Sequence, residues 1–351
     1  MFASAQYKSA RLNNIMPKPD FSGRIRKLRT LMGSKGLDAC LVNSRNDMFY
    51  YTGQEIGDLS FLLVTKNSKP TIFLTSLNNY VQPTERFGVV YMKGIQDVAK
   101  ALKRFRLVGF DEYGTSCSTF SELRKSGAGL KPSASVIKEP RMVKDTYELG
   151  MIAKAAAIAR KGISGAGPLA GKTEMSVLNR IELSFRNAGA KPSFETIVAS
   201  GKHSAFVHHI TGRKAIGKKD LVIIDAGAVA GGYCSDMTRT LCRSPGPKER
   251  RIIENIGNVQ AELMDMAREG VRYDDVQKRF EALLEKKGYK VMHSFGHGIG
   301  TGVHERPTKG DFLKEGMVIT VEPGAYVKGF GGCRIEDMIV IRKGRPRILT
   351  K

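Results

Sequence analysis

From residue 222 to residue 337 the chain repeatedly seats an acidic or histidine residue in a tight turn beside a short apolar run: VIIDAG, YCSDMTRT, SFGHGIG, VEPG and CRIED. This constrains the fold, because Asp225, Asp236, His297, Glu322 and Glu336 are then presented from strand ends and glycine turns instead of solvated helices. Singly, an Asp at a strand end is an ordinary turn former, a His between glycines a loop residue, and the Glu of RIED an ion-pair partner. Jointly they read differently. Four carboxylates at the ends of apolar strands repel one another unless a cation compensates them. The set can hold two divalent metal ions, and its oxygen-rich donors with one imidazole suit Mn2+, with Co2+, Fe2+ or Zn2+ as alternatives.

The local geometry is readable to the same depth. Asp225 closes the apolar run LVIID, and after the AGAVAGG turn the strand YCSDMTRTL is expected to return with Asp236 and Thr238 on one face. The glycines around His297 are expected to let the backbone crowd close to a bound ion, and Glu322 ends a second apolar strand in V-E-P-G. Glu336 alternates with Arg334 along CRIED.

At 351 residues and 41% hydrophobic content the chain exceeds one ordinary core, so two domains are expected. No run approaches the ~18 to 20 apolar residues of a membrane span, and no secretory signal opens the chain, which points to a cytoplasmic protein. The five cysteines are widely spaced without a C-x-x-C pair and are read as reduced. Residues 1–19 contain no Asp or Glu and read as a disordered extension, with Met16 an alternative start. A formal charge of +23 and a pI near 9.9 meet the electrostatic criterion for nucleic-acid binding. The Lys and Arg residues are scattered, however, and no aromatic-basic interleaving forms a stacking platform, so nucleic acid is expected only as a secondary contact.

Periodicity divides the chain near residue 140. Residues 20–139 alternate helices and strands as an α/β domain: a helix from Phe21, the strand DACLVNS, the strand pair SFLLVTKN and PTIFLTS, a helix over VQPTERF, the strand GVVYMK, a helix over IQDVAKALKRF, the strand LVGFDE, a helix in STFSELRKSGAG and a strand over ASVIKE. The aromatic string NDMFYYTG reads as packing. This domain carries no catalytic constellation, so docking or gating of substrate is its expected role. Residues 140–351 open with Asp145 as a helix cap, continue through a helix after Thr173 and a helical hairpin over 248–288, and are otherwise strand-rich, an α+β domain whose curved antiparallel sheet has helices outside.

With these phrases in this order, the chain resembles the pita-bread-fold metallopeptidases, the group of methionine aminopeptidase, aminopeptidase P and prolidase, from about residue 141 to the C-terminus. The likeness implies that Asp225 holds the first ion, Asp236 and Glu336 bridge, and His297 and Glu322 complete the second. It also implies that a metal-bridging hydroxide attacks the peptide carbonyl, with Glu322 shuttling the proton. His208 in SAFVHH and His304 in GTGVHERP match the family histidines that stabilise the scissile carbonyl, and His209 sits where relatives commonly carry glycine. Arg334 matches the family arginine beside the metals, and Thr238 a partner of the ligands. The creatinase/prolidase-type N-terminal domain favours cleavage of Xaa-Pro bonds in di- or oligopeptides by a homodimer. A dipeptidase needs a cation for the free proline carboxylate. Thr308 stands where many prolidases place an arginine, leaving Arg306 or Lys309 for that task and aminopeptidase P as the alternative activity. Relatives that lost their metal ligands act as nucleic-acid-associated or histone-binding modules; this chain retains all five.

Overall fold

In the computed structural model, which describes residues 17–57 and 59–351, Asp20 starts the first helix, Phe21–Ser34, by accepting a 2.8 Å hydrogen bond from Gly23 N. Residues 1–16, which hold most of the expected extension and the alternative start, lie outside the described residues. The helix buries Ile25, Leu28 and Met32 against a six-stranded sheet ordered Gly88–Tyr91, Thr71–Leu74, Ser60–Thr65, Ala39–Val42, Leu107–Phe110, Gly129–Pro132. Ala39–Val42 is the central strand, antiparallel to Ser60–Thr65 and parallel to Leu107–Phe110. All four of its residues are buried, which explains its unbroken apolar sequence.

Two expectations for this domain need correction. VQPTERF forms no helix: Pro83 disfavours helical backbone at Gln82, and Thr84 Oγ1 accepts from Arg86 N and Phe87 N to close a turn. ASVIKE is not a strand but the helix Ala134–Lys138, and the edge strand is the preceding Gly129–Pro132. Glu112 Oε2 decides this by accepting from Ser133 N and Ala134 N, 2.9 Å each, at the point where the helix begins. The aromatic string lies in a helix as well, Arg45–Thr52, closed by Gly53 at φ 75°.

The second half begins with a capping box. Glu148 N donates to Asp145 Oδ1 (2.8 Å) and Asp145 N to Glu148 Oε2 (3.1 Å), starting the helix Thr146–Ser164. Thr173 caps Glu174–Asn187 by accepting from Ser176 N alone, and Pro247–Met266 packs on Tyr273–Lys286 as a hairpin. The recorded strand pairs here are antiparallel. Val222–Asp225 lies between Ile197–Ser200 and Thr238–Leu241, with Asp225 opposite Thr238. The single returning hairpin expected here is two nested pairings. Gly231 and Gly232, at φ 56° and 80°, close an inner pair of Ala228–Ala230 with Tyr233–Cys234, so Asp236 falls in the connector after it.

Buried ion pairs join the two halves. Arg141, its side chain 7% exposed, donates to Asp47 of the aromatic helix and to Glu305, the residue after His304. Lys144 Nζ lies 3.5 Å from the other Glu305 oxygen. Arg24 Nη2 reaches Tyr233 Oη (3.0 Å) and Asp145 Oδ2 (3.2 Å). Among the described residues, no helix is long and apolar enough to cross a membrane.

Candidate metal centre

The antiparallel pairing that sets Asp225 opposite Thr238 places both side chains beside Arg334, which ends the strand Gly331–Arg334. Arg334 Nη2 donates to Asp225 Oδ2 (2.6 Å), its Nε to Thr238 Oγ1 (3.2 Å), and Thr238 Oγ1 donates to Glu336 Oε2 (2.8 Å). One buried guanidinium thus orients two of the candidate carboxylates. Ligand atoms of Asp236, His297 and Glu336 lie within 4.8 Å of one another. His297 Nε2 is 3.6 Å from Asp236 Oδ2 and 3.5 Å from Glu322 Oε1.

His297 is held from its backbone. Thr320 N donates to His297 O (2.8 Å) and His297 N to Thr320 Oγ1 (3.0 Å). Its Nδ1 lies 3.0 Å from Gly298 O, which assigns the proton to Nδ1 and leaves the Nε2 lone pair facing the carboxylates. The flanking glycines are required by close contacts with the protein itself. A Cβ at Gly296 would meet Thr320 O at 2.0 Å, and one at Gly298 would meet Arg306 O at 2.0 Å. They give close passage to neighbouring protein backbone.

The electrostatics show a cluster built for positive charge. Burial, then the neighbouring Glu336, Asp225 and Glu322, push Asp236 well above the usual carboxylate range. Burial, with Glu322 and Asp225, does the same to Glu336, and burial is the largest cause moving Glu322 from 4.5 to about 7. Burial lowers His297 to about 4, so the imidazole is neutral at physiological pH. Asp225 Oδ1 and Glu336 Oε1 are buried without a hydrogen-bond partner. Orphaned carboxylate oxygens aimed into a shared acidic cluster are what divalent cations satisfy, and the donor set fits them.

Without metal these carboxyls bind protons more tightly in the folded chain than in the unfolded one. Their stabilising protonation is complete below about 4.5 and is lost, for Glu322, as pH rises through about 7. Chelator-treated protein is therefore expected to melt several degrees lower at about pH 8 than at about pH 5, and saturating Mn2+ to narrow that gap. Thermal melts at both pH values check this; a metal-free protein more stable at the higher pH would count against the cluster.

The remaining sequence candidates divide into those near the cluster and one turned elsewhere. His304 lies against His297, ring centroids 4.3 Å apart, and burial followed by the charge of nearby His208 lowers its pKa. His209 turns away, its Nε2 3.1 Å from Glu174, while His208 is exposed on the side of His304. Arg306 donates through Nε (3.1 Å) and Nη2 to Asp311, so its charge is already compensated. Two neighbours of the cluster escaped the sequence analysis. His293 Nδ1 is 4.0 Å from Glu322 Oε2 and its Nε2 2.9 Å from Tyr326 Oη, which also accepts from Arg334 Nη1 at 2.7 Å. The signal for His293 was its place four residues before His297; Tyr326 carried none.

A model of metallopeptidase family M24 matches residues 150–343, and one of the creatinase/prolidase N-terminal domain matches residues 24–143. The chain belongs to metallopeptidase family M24. This peptidase is 33% identical to an Xaa-Pro dipeptidase of Pyrococcus horikoshii, over 93% of this chain and 97% of the relative. The crystal structure of the prolidase from the same organism superposes with a TM-score of 0.88 at 32% identity, covering 94% and 98% of the two chains. An X-Pro aminopeptidase from Thermotoga maritima superposes at 0.85 and 29%, covering 93% and 97%. The M24 peptidase has the α/β N-terminal domain and pita-bread C-terminal domain that its sequence motifs implied.

Proposed function

We propose that the chain is an Xaa-Pro dipeptidase that uses two divalent ions, Mn2+ in the first place, held by Asp225, Asp236, His297, Glu322 and Glu336. The observation that supports this reading is the grouping of Asp236, His297 and Glu336, with Glu322 3.5 Å from His297 and Asp225 held by Arg334, beside unpartnered buried oxygens of Asp225 and Glu336, in a family M24 chain whose relatives include named Xaa-Pro dipeptidases. When bound, the ions supply an activated water at neutral pH and polarise the scissile carbonyl. Arg334 fixes Asp225 and, through Thr238, Glu336, so that these carboxylates keep their geometry as substrate enters. Glu322 is assigned the proton transfer between water and leaving nitrogen. His304, which burial holds below the usual imidazole range, donates with His208 an N–H to the oxyanion that forms on the carbonyl.

Aminopeptidase P remains the second reading, on one observation. Of the two cations expected to receive a free proline carboxylate, Arg306 is already committed to Asp311, which leaves Lys309. A homodimer is proposed as well, because the large apolar side chains Phe206 and Ile210, 61% and 80% exposed, flank His208 where a second subunit would cover them. The +23 surface is left to secondary contacts with anions such as nucleic acid.

Hydrolysis of an Xaa-Pro dipeptide and an Xaa-Pro-Xaa tripeptide by Mn2+-loaded protein tests the assignment. The dipeptide is expected to be preferred, and chelator to abolish its cleavage. Preference for the tripeptide would select the aminopeptidase, and cleavage of neither with Mn2+ or Co2+ would overturn the Xaa-Pro reading.

A further inference from the structure

Besides the acidic cluster, one other group of metal-binding side chains converges among the described residues: Glu174, His203 and His209. Glu174 is the first residue of the helix Glu174–Asn187 and its side chain is fully buried. Its carboxylate is already fixed by the protein. Oε1 accepts from Ser200 N (2.8 Å) and Ser200 Oγ (2.7 Å), and Oε2 from Gly212 N (3.4 Å). Two imidazoles approach the same carboxylate. His203 Nδ1 lies 3.1 and 3.2 Å from the two oxygens, His209 Nε2 lies 3.1 Å from Oε2, and the rings face each other at 4.5 Å.

An ionised carboxylate offers about four lone-pair directions, and three are taken by Ser200 and Gly212, so the two histidines compete for what remains. A cation removes the competition, because neutral imidazoles then direct lone pairs at the ion instead of protons at the carboxylate. The spacing suits this. Ligand atoms on ~2.0 to 2.1 Å bonds at tetrahedral angles sit roughly 3.3 Å apart, close to the nitrogen-to-oxygen separations found here. A donor set of two imidazoles and one carboxylate also favours Zn2+ over Mn2+, in contrast to the oxygen-rich cluster.

We propose that Glu174, His203 and His209 form a separate site for one divalent cation of the zinc type, which pins the segment carrying His208. The two histidines bracket residues 204–208, and the carbonyl of Val207 receives Arg334 Nη1 at 3.5 Å. An ion tying residues 203 and 209 to a buried carboxylate holds both ends of that segment. The cation site stands independently of the peptidase reading; only its effect on turnover rests on it.

Equilibrium dialysis of the full chain against Zn2+ tests the site by metal content alone. The His203→Ala/His209→Ala variant is expected to bind one equivalent fewer than wild type, while Asp236→Ala keeps that equivalent and loses metal from the acidic cluster. Equal Zn2+ content in wild type and the double variant would overturn the proposal and leave the histidines as hydrogen-bond donors to Glu174. Should the double variant fold poorly, the Zn2+-induced rise in melting temperature of Asp236→Ala is read instead. It is expected to vanish on adding His209→Gln, and its persistence would equally overturn the site.

Discussion

Replacing Asp236 with alanine is expected to lower peptide hydrolysis by on the order of 10³-fold or more, about 4 kcal/mol of barrier. Its carboxylate stands where the fields of Glu336, Asp225 and Glu322 meet and lies 3.6 Å from His297 Nε2. It groups with His297 and Glu336, their ligand atoms within 4.8 Å of one another. The loss is expected in kcat at saturating Mn2+, with reduced metal content, and not in folding. Deleting one of several mutually repelling buried carboxyls relieves the metal-free protein, so in chelator the variant should melt no lower than wild type. A variant that keeps more than about a tenth of the wild-type rate would remove Asp236 from the centre.

Arg141→Ala is expected to be the most damaging change outside the cluster, at about 3 to 5 kcal/mol of stability, or roughly 5 °C in melting temperature. The guanidinium is buried between Asp47 of the N-terminal domain and Glu305 of the C-terminal one, and its removal leaves both carboxylates facing a dry interface. Burial alone would raise Glu305, and Arg141, ahead of Lys144, holds it below the usual carboxylate range, so deleting Arg141 removes the larger part of that compensation. Glu305 also accepts from Gly302 N at 2.7 Å and follows His304 in the chain. Loosening it should cost a further ~10 to 100-fold in kcat/KM while metal content stays unchanged. Arg141→Lys supplies the charge without the two-pronged reach and should fall between. A melting temperature within about 2 °C of wild type for the alanine variant would show that the interface does not depend on this network.

Much of the catalytic half was legible because its signals are local. The Asp145–Glu148 capping box and the Thr173 cap are written within four residues each, and the apolar strand ending in Asp225 announces itself by composition. The same holds for the five metal-ligand phrases, since strand ends and glycine turns are short-range features. Where propensity competed with a distant partner it misled. The β-branched ASVIKE segment became a helix once Glu112 captured its first backbone amides, and VQPTERF, helical by composition, was opened by Pro83 and Thr84.

The sequence by itself therefore determined the two-part organisation, most secondary elements and the identities of the metal-ligand candidates, because periodicity, capping and turn chemistry act over a few residues. Only the tertiary structure decided which charges are free and which are spent. Arg141 meets Asp47 across 94 residues and Glu305 across 164, Arg306 is neutralised by Asp311, and His209 turns to Glu174 while His208 stays on the side of His304. The physical reason is that a long side chain carries its charge wherever packing leaves a partner, and burial, which makes such a pairing decisive, is a property of the assembled fold.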